Sequence, residues 1–198
     1  MKIITVTGFK GGVGKSTAAI HLAAFFSEQG RTLLVDGDPN HTSVAWSNHG
    51  KLPFDVVTTN QVARAVQNRD FVIFDTPARP NSEDLSEMIE SCDLLILPTT
   101  PDIVSIRPMI ATIQALGSAT YCTLISIVPP RPMKDGELAH KELSELGFPV
   151  FNTMIRRSVV FTKAATAGVI VRDVDDASAS KAWGDYQALG EEIQEILK

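Results

Sequence analysis

Residues 8–17 of the chain read Gly8-Phe9-Lys10-Gly11-Gly12-Val13-Gly14-Lys15-Ser16-Thr17. An apolar run at residues 3–6 precedes this glycine-rich stretch, and a pattern typical of a helix follows it at residues 18–26. A glycine-rich turn between a strand and a helix directs backbone N–H groups and the helix dipole at one point, which suits a phosphate. In such a loop Lys15 reaches the β- and γ-phosphates and the Ser16 hydroxyl binds Mg²⁺. The stretch therefore predicts a nucleoside triphosphate site.

The loop departs from the ordinary P-loop pattern near its start. That pattern has a glycine five residues before Gly14, where this chain has Phe9, and the chain carries an additional lysine, Lys10. The string Lys-Gly-Gly-Val-Gly-Lys-Ser-Thr resembles the deviant Walker A box of the ParA/MinD family, whose early lysine is called the signature lysine. The resemblance implies that Lys10 reaches across a dimer interface to the nucleotide of the other subunit. It also implies that ATP or ADP is held by Lys10, Gly11, Gly12, Val13, Gly14, Lys15, Ser16 and Thr17.

Composition limits the classes of protein that fit. The 198 residues are 44% hydrophobic, which is enough for one core, and we expect a single domain over residues 1–198. The formal net charge is −5 with both signs dispersed, so any contact with DNA must come from a local patch. Cys92 and Cys122 are too few for a disulfide framework and fall in apolar segments typical of a core. No stretch approaches the ~20 apolar residues of a membrane span or forms a signal peptide, so we expect a cytoplasmic protein.

Strand-like apolar runs alternate with helical patterns along the whole chain. Strands are predicted at residues 3–7, 32–35, 55–58, 71–75, 94–98 and 122–128, with a short one at 150–151. Helices are predicted at residues 82–91, 102–116, 135–146, 160–167 and 179–197. Such alternation predicts a doubly wound, mostly parallel α/β sheet with helices on both faces. The proline-rich stretch 129–132 is predicted to be a surface loop.

Two carboxylates follow the second predicted strand, in Asp36-Gly37-Asp38-Pro39. Ligands of open α/β sheets bind outside the carboxyl ends of the strands. The segment resembles the Asp-x-Asp-Pro motif of ParA proteins, which implies that Asp38 orients the attacking water and that Asp36 lies near Mg²⁺ and its water shell. Aspartates also favour turns, so a purely structural role as caps of the turn stays open.

A third carboxylate, Asp75, ends the apolar run 71–75 in the manner of a Walker B strand. Mg²⁺ takes few protein ligands and keeps several waters, so Asp75 is predicted to hold it through water, opposite Ser16. Asp102 follows the next strand and is predicted to cap a helix; contact with nucleotide is the alternative. Catalysis is assigned to Lys10, Lys15 and Asp38, and with Asp38 as the only water-orienting group we expect slow intrinsic ATP hydrolysis.

The resemblance extends into the C-terminal third, where residues 152–158 and 161–168 look like the corresponding ParA segments. The start at Met1 is expected of the short ParA type (ParF-like or McdA-like), without an N-terminal helix-turn-helix domain. The family implies an ATP-bound homodimer on nucleoid DNA, an adaptor of the ParB or McdB type that stimulates hydrolysis, and a plasmid or a carboxysome-like organelle as cargo. Basic side chains contact DNA phosphates without reading sequence. The candidates are Arg156, Arg157, Lys163, Arg172 and Lys181.

Other functions on the same scaffold remain alternatives. A MinD-like, membrane-associated ATPase needs a basic amphipathic terminal helix, whereas residues 189–198 are acidic. A small-molecule enzyme similar to dethiobiotin synthetase would not need Lys10. A scaffold that binds nucleotide without hydrolysis would not need Asp38 and Asp75.

Overall fold

Six parallel strands form one sheet in a computed structural model that describes residues 1–8, 10–78, 82–130 and 134–198. The strand order is β3-β2-β4-β1-β5-β6, and every strand pair in it is parallel. The strands are β1 (Lys2–Gly8), β2 (Thr32–Asp36), β3 (Asp55–Thr58), β4 (Phe71–Ala78), β5 (Leu94–Thr99) and β6 (Tyr121–Ile125). The predicted fold class is confirmed.

Helices cover both faces of the sheet because its central strands carry apolar side chains on both sides. In β2, Leu34 packs in the core under α1, while Leu33 and Val35 pack on the opposite face. The helices are α1 (Lys15–Ser27), α2 (Thr42–His49), α3 (Val62–Ala65), α4 (Ser82–Ser91), α5 (Ile103–Ala115), α6 (Lys134–Glu145), α7 (Val160–Ala167) and α8 (Ala179–Ile196). Successive side chains of a strand point to opposite faces, so an unbroken apolar run is what a doubly covered strand requires.

The larger core lies between the sheet and the pair formed by α1 and α8. These two helices pack closely because α8 has a glycine at the contact. A Cβ added at Gly190 would lie 2.3 Å from the ring of Phe25, so a larger side chain there would force the helices apart. The close packing fixes α8 behind the helix that begins at the glycine-rich loop.

Two predicted strands need correction. The strand predicted at 122–128 ends at Ile125, because Ile127 adopts a left-handed conformation with φ 54° that breaks the extended backbone. The strand predicted at 150–151 is an isolated bridge between Val150 and Thr123. Helices α2 and α3 were not predicted, since both are short and lack a clear apolar period. Phe9 and part of the proline-rich loop (residues 131–132) lie outside the described residues.

The topology brings the predicted motifs to one edge of the sheet. Strands β2, β4 and β1 are neighbours, and Asp36 at the end of β2 pairs in register with Asp75 of β4. The glycine-rich loop leaves the same edge from β1. Parallel strands end at a common edge, so three segments distant in sequence surround one space.

Candidate nucleotide-binding site

The glycine-rich loop forms an open cradle at the start of α1. Gly12 (φ 78°) and Gly14 (φ 85°) both adopt left-handed backbone conformations, which glycine enters without steric cost. A Cβ added at Gly11 or Gly12 would meet nothing within 4 Å, so the space over the loop is open. Backbone N–H groups at a helix start face this space and favour an anion there.

Lys15 lies over the cradle and is largely buried, with 7% of the residue exposed. Its Nζ donates to the carbonyl oxygen of Lys10 at 3.2 Å, which turns the side chain back across the loop. Burial lowers the pKa of Lys15, while the nearby charges of Asp75 and Asp38 act in the opposite direction. The structure therefore brings Lys15, Asp38 and Asp75 together, as the sequence predicted.

Asp75 has the properties of a carboxylate that needs a cation. It is fully buried, its Oδ2 accepts from the Ser43 hydroxyl at 2.8 Å, and its Oδ1 has no hydrogen-bond partner among the described residues. Burial raises the pKa of Asp75 to about 6, the nearby hydroxyls of Ser16 and Ser43 lower it, and the charges of Asp36 and Asp38 raise it further. An orphaned oxygen beside the Ser16 hydroxyl and two more carboxylates fits Mg²⁺, which prefers oxygen ligands.

Few protein ligands would hold that ion. Within the described ranges, no group of three or more His, Cys, Asp or Glu side chains is arranged as a metal cluster. Mg²⁺ is commonly bound by one or two protein groups together with waters and substrate phosphates. Ser16 and Asp75 are the residues placed to hold it.

Asp36 fastens the loop that carries Asp38. It is fully buried; its Oδ1 accepts from the Asp38 N–H at 3.1 Å and its Oδ2 accepts from the Val44 N–H at 2.9 Å. The second bond satisfies a free donor in the first turn of α2. The structural role left open for Asp36 is therefore present, and its place near Mg²⁺ stays a prediction.

Asp38 is half-buried, and the chain occupies one of its two carboxylate oxygens. Its Oδ1 accepts from the backbone N–H of Asn40 and from Asn40 Nδ2, both at 2.8 Å. These are the hydrogen bonds that the described part of the chain gives to this side chain, and they leave Oδ2 for a water. The geometry permits the water-orienting role predicted from the sequence.

Lys10 is held within its own chain. Its Nζ donates to Ser105 Oγ at 2.6 Å and lies 3.6 Å from Asp102 Oδ1. Asp102 caps α5, as predicted, by accepting from the Ser105 N–H at 2.9 Å. Its hydrogen bond with Thr100, the bonds from Ser105 and the charge of Lys10 lower the pKa of Asp102 against partial burial. In the single chain the Lys10 ammonium thus lies over the start of α5.

A cavity of about 310 Å³ opens beside the loop and was not predicted from the sequence. Its size suits a nucleobase, and Gly14 and Thr17 place it next to the phosphate cradle. Its wall includes Ile127, whose strained backbone no local pattern reveals. The remaining lining is Ser126, Ile155, Arg156, Arg157, Ser158, Val159, Phe161, Thr162 and Tyr186.

His21 supports this cavity from behind. Its Nδ1 donates to the Thr17 carbonyl oxygen at 2.7 Å, since its Nε2 accepts from the Val171 N–H at 3.1 Å. The ring stacks on Tyr186 with centroids 4.7 Å apart and meets the edges of Trp46 and Phe161. Burial lowers the pKa of His21 to about 4, so the buried ring is neutral at pH 7.

This neutral histidine predicts a loss of stability in acid. The unfolded chain binds a proton at His21 near pH 6.5, whereas the folded chain does not until about pH 4. The contribution of neutral His21 to the free energy of unfolding is therefore complete above pH 6.5. It decreases as the pH drops towards 4, and about 2 kcal/mol of it is lost at pH 5. Urea unfolding at pH 7.5 and pH 5 measures it, with His21→Gln expected to show the smaller drop. His49→Gln, at an exposed histidine, is the matched control, and parallel pH dependence in all three proteins would refute the assignment.

Three of the five basic residues assigned to DNA are paired with carboxylates. Arg156 binds Asp185 with two nitrogens, Lys163 Nζ lies 2.6 Å from Asp176, and Arg172 pairs with Glu28 and lies over the Trp183 ring. Arg157 and Lys181 are exposed and make no ion pair within the described part of the chain. The sequence could not show these pairings, because the carboxylates come from distant segments.

The two cysteines pack in apolar surroundings, as predicted, and both are free thiols. Cys122 packs in the core beneath α1 and α8, whereas Cys92 packs against the core on the opposite face of the sheet. Burial raises the pKa of both thiols, to about 11 for Cys92 and about 12 for Cys122.

Of the helices in the described residues, none has the length and apolar character to cross a membrane.

A strand, a left-handed glycine loop and a helix, with Lys15 and Asp75 over the loop, define a P-loop nucleotide-binding protein. The chain belongs to the CobQ/CobB/MinD/ParA family of nucleotide-binding domains, whose model matches residues 4–176. It is 33% identical over 202 residues to the maintenance of carboxysome distribution protein A of Gloeobacter kilaueensis, covering 97% of this chain and 94% of that protein. The protein of the same name from Halothiobacillus neapolitanus is 26% identical, with 96% and 95% covered.

The solved structures agree on the fold. An ATP complex of McdA from Cyanothece superposes with a TM-score of 0.75 at 15% identity, covering 100% of this chain and 96% of that one. At this identity, the likeness shows that the two chains share a fold.

Proposed function

We propose that this chain is an ATPase of the ParA type that distributes a carboxysome-like organelle. The observation that carries the proposal is the likeness to a carboxysome distribution protein over nearly the whole of both chains, together with an intact phosphate cradle. We place the protein in the cytoplasm, in association with the nucleoid.

ATP binds with its phosphates over the glycine-rich loop and its base in the cavity beside Gly14. Lys15 neutralises the terminal phosphates, and Ser16 and Asp75 hold Mg²⁺, which when bound spreads the charge of the phosphate oxygens. Asp38 accepts a hydrogen bond from the attacking water and aligns it with the γ-phosphate. Asp38 is the one water-orienting group that we assign, so intrinsic hydrolysis is slow until an adaptor of the McdB or ParB type stimulates it.

Two copies close face to face around two nucleotides, and each Lys10 leaves Ser105 and Asp102 for the partner's phosphates. The hydrogen bond and ion pair that Lys10 makes in the single chain must be given up for this. A nucleotide shifts the equilibrium towards the dimer only by contacts that the single chain lacks. The γ-phosphate supplies such a contact for Lys10, which makes the dimer dependent on ATP.

DNA binding follows from dimerisation, because only two of the five candidate residues are free of an ion pair in one copy of the described chain. Arg157 and Lys181 are the two candidates that form no ion pair with the residues that the structure describes, and a dimer doubles them to four. Arg156, Lys163 and Arg172 contribute only if their carboxylate partners are displaced. A protein of net charge −5 binds a polyanion weakly as a monomer, so release from DNA upon hydrolysis follows.

Binding to duplex DNA of arbitrary sequence is expected with ATP, and neither with ADP nor without nucleotide. With about four phosphate contacts per dimer, a fourfold rise in salt weakens binding about 100-fold. Fluorescence anisotropy at 50 mM and 200 mM salt measures both effects. The double substitution Arg157→Gln and Lys181→Gln should abolish binding, while Lys141→Gln, at a lysine that already pairs with Glu145, should not.

If the protein binds no DNA with ATP, with ADP or without nucleotide, the proposed association with the nucleoid is refuted. Binding of vesicles containing anionic lipid in the ATP state would then favour a MinD-like protein. Equal DNA binding with ATP and ADP would refute the switch while leaving nucleotide binding intact. Cargo is tested separately by deletion of the gene and microscopy of carboxysomes or of a resident plasmid.

A further inference from the structure

Two carboxylates of α8 hold one short segment of the chain. Glu192 accepts the backbone N–H groups of Asn152 at 2.8 Å and Thr153 at 2.7 Å, one with each oxygen. Asp185 accepts the Arg156 backbone N–H at 3.1 Å, its Nε at 2.7 Å and its Nη2 at 2.6 Å. The two acids are seven residues apart, which is two helical turns, so they share one face of α8. Together they fasten residues 152–156 to that helix.

The fastened segment continues directly into the wall of the cavity beside the glycine-rich loop. Residues 155–159 line that cavity, and Arg156 itself is both a lining residue and a clamped one. Tyr186, the neighbour of Asp185 on α8, also lines the cavity and rests on His21. One helix therefore supports the cavity both directly, through Tyr186, and through its carboxylates.

These contacts are placed to set the wall's position rather than to hold the fold together. The same segment is also bonded to the sheet side: Ile155 N–H donates to Ile125 O at 2.9 Å, and Arg157 N–H donates to Val128 O at 2.7 Å. Those backbone bonds would remain if a carboxylate of α8 were neutralised. Asp185 is only 9% exposed, and a bidentate carboxylate–guanidinium pair has a strict geometry, so its loss would release the wall locally.

We propose that Asp185 and Glu192 are positioning residues for the nucleobase: they fix the wall at residues 155–159 against which the base packs. The inference rests on the proposed function, since it takes the cavity as the seat of the base of ATP. The acids do not touch the phosphate cradle. Their loss should weaken binding of nucleotides that carry a base and leave the binding of a bare polyphosphate chain unchanged.

The test compares Mg²⁺-ATP with Mg²⁺-tripolyphosphate, which has the phosphates but no base, by calorimetry on the full chain. Asp185→Asn should raise the Kd for ATP about tenfold and that for tripolyphosphate less than about twofold, since the hydrogen bonds lost are charge-assisted ones to the wall alone. Glu192→Gln, which keeps one acceptor oxygen, should raise the Kd for ATP about threefold. In hydrolysis assays the KM should rise while kcat stays the same, because the loosened wall affects binding and not the reacting atoms.

Controls separate this inference from a general loss of structure and from the proposed function. Glu191→Gln removes a neighbouring exposed acid of α8 and should change neither Kd, and Asp185→Glu should recover part of the ATP affinity. Equal losses for ATP and tripolyphosphate, or unchanged ATP affinity in both variants, would overturn the positioning role. A wild-type protein that binds ATP no better than tripolyphosphate would overturn it as well. A wild-type protein that binds neither would instead overturn the proposed function.

Discussion

Replacement of Lys10 by alanine should abolish ATP-dependent dimerisation and leave ATP binding by the single chain unchanged. The Lys10 ammonium is directed at Ser105 and Asp102, so it contributes nothing to the phosphate cradle of its own chain. The one contact of residue 10 with the cradle is made by its backbone carbonyl, which accepts from Lys15 Nζ and persists in alanine. Lys10→Ala should therefore destabilise the dimer and not nucleotide binding by the single chain.

The expected effect is large because the dimer contains two such contacts. Truncating one partner of a buried charge pair costs roughly 2–5 kcal/mol, so the loss of two contacts costs at least about 4 kcal/mol and weakens the dimer about 1,000-fold. Sedimentation velocity with a slowly hydrolysed ATP analogue measures the dimer, and calorimetry with ADP measures the single chain. Hydrolysis stimulated by the adaptor should disappear together with the dimer.

A matched variant separates the role of the ammonium from that of its resting contact. Ser105→Ala removes the hydroxyl that holds Lys10 but keeps the lysine, so ATP-dependent dimerisation should persist. Dimers of equal stability in wild type and Lys10→Ala would refute the trans role. If neither variant dimerises, dimerisation depends on the contact between Lys10 and the start of α5, and not on contact between Lys10 and the partner's phosphates.

The sequence predicted those parts of the site that depend on one short segment. The glycine loop and Lys15 have a local reason for their position, since glycine alone enters the left-handed turns readily. Asp75 is marked by the apolar run before it, although β4 continues beyond it to Ala78. The meeting of Asp36 and Asp75 then followed from the parallel sheet. These elements could be predicted because strand ends in such a fold share an edge.

The parts that were missed depend on contacts between distant segments. The cavity beside Gly14 needs the backbone strain of Ile127 and a wall fastened by Asp185. Lys10 rests on Ser105, which lies 95 residues away, and no local pattern places that hydroxyl there. Likewise, a basic residue such as Lys163 looks free in sequence until the fold brings Asp176 to it.

Replacement of Asp38 by alanine should stop the cycle in its ATP-bound state. Within the described residues, Asp38 Oδ2 accepts no hydrogen bond, whereas both oxygens of Asp36 accept from backbone N–H groups and the free Oδ1 of Asp75 is assigned to Mg²⁺. Loss of a group that orients and polarises the water lowers turnover about 100-fold or more. The cradle, Lys15 and Asp75 remain, so ATP should still bind.

Single-turnover hydrolysis and DNA release, measured on the same preparation, test this. Asp38→Ala should remain on DNA for many minutes after ATP is added, whereas wild type dissociates as it hydrolyses. Asp38→Asn keeps an acceptor for Asn40 but has no charge, so it should be as slow as alanine if charge on the water matters. Asn40→Ala removes the Nδ2 donor to Oδ1 and keeps the backbone N–H donor, so it should slow turnover only a few-fold because the carboxylate is then held less firmly. Turnover at the wild-type rate in Asp38→Ala would remove Asp38 from the mechanism and leave the buried pair of Asp36 and Asp75, with Mg²⁺, to position the water.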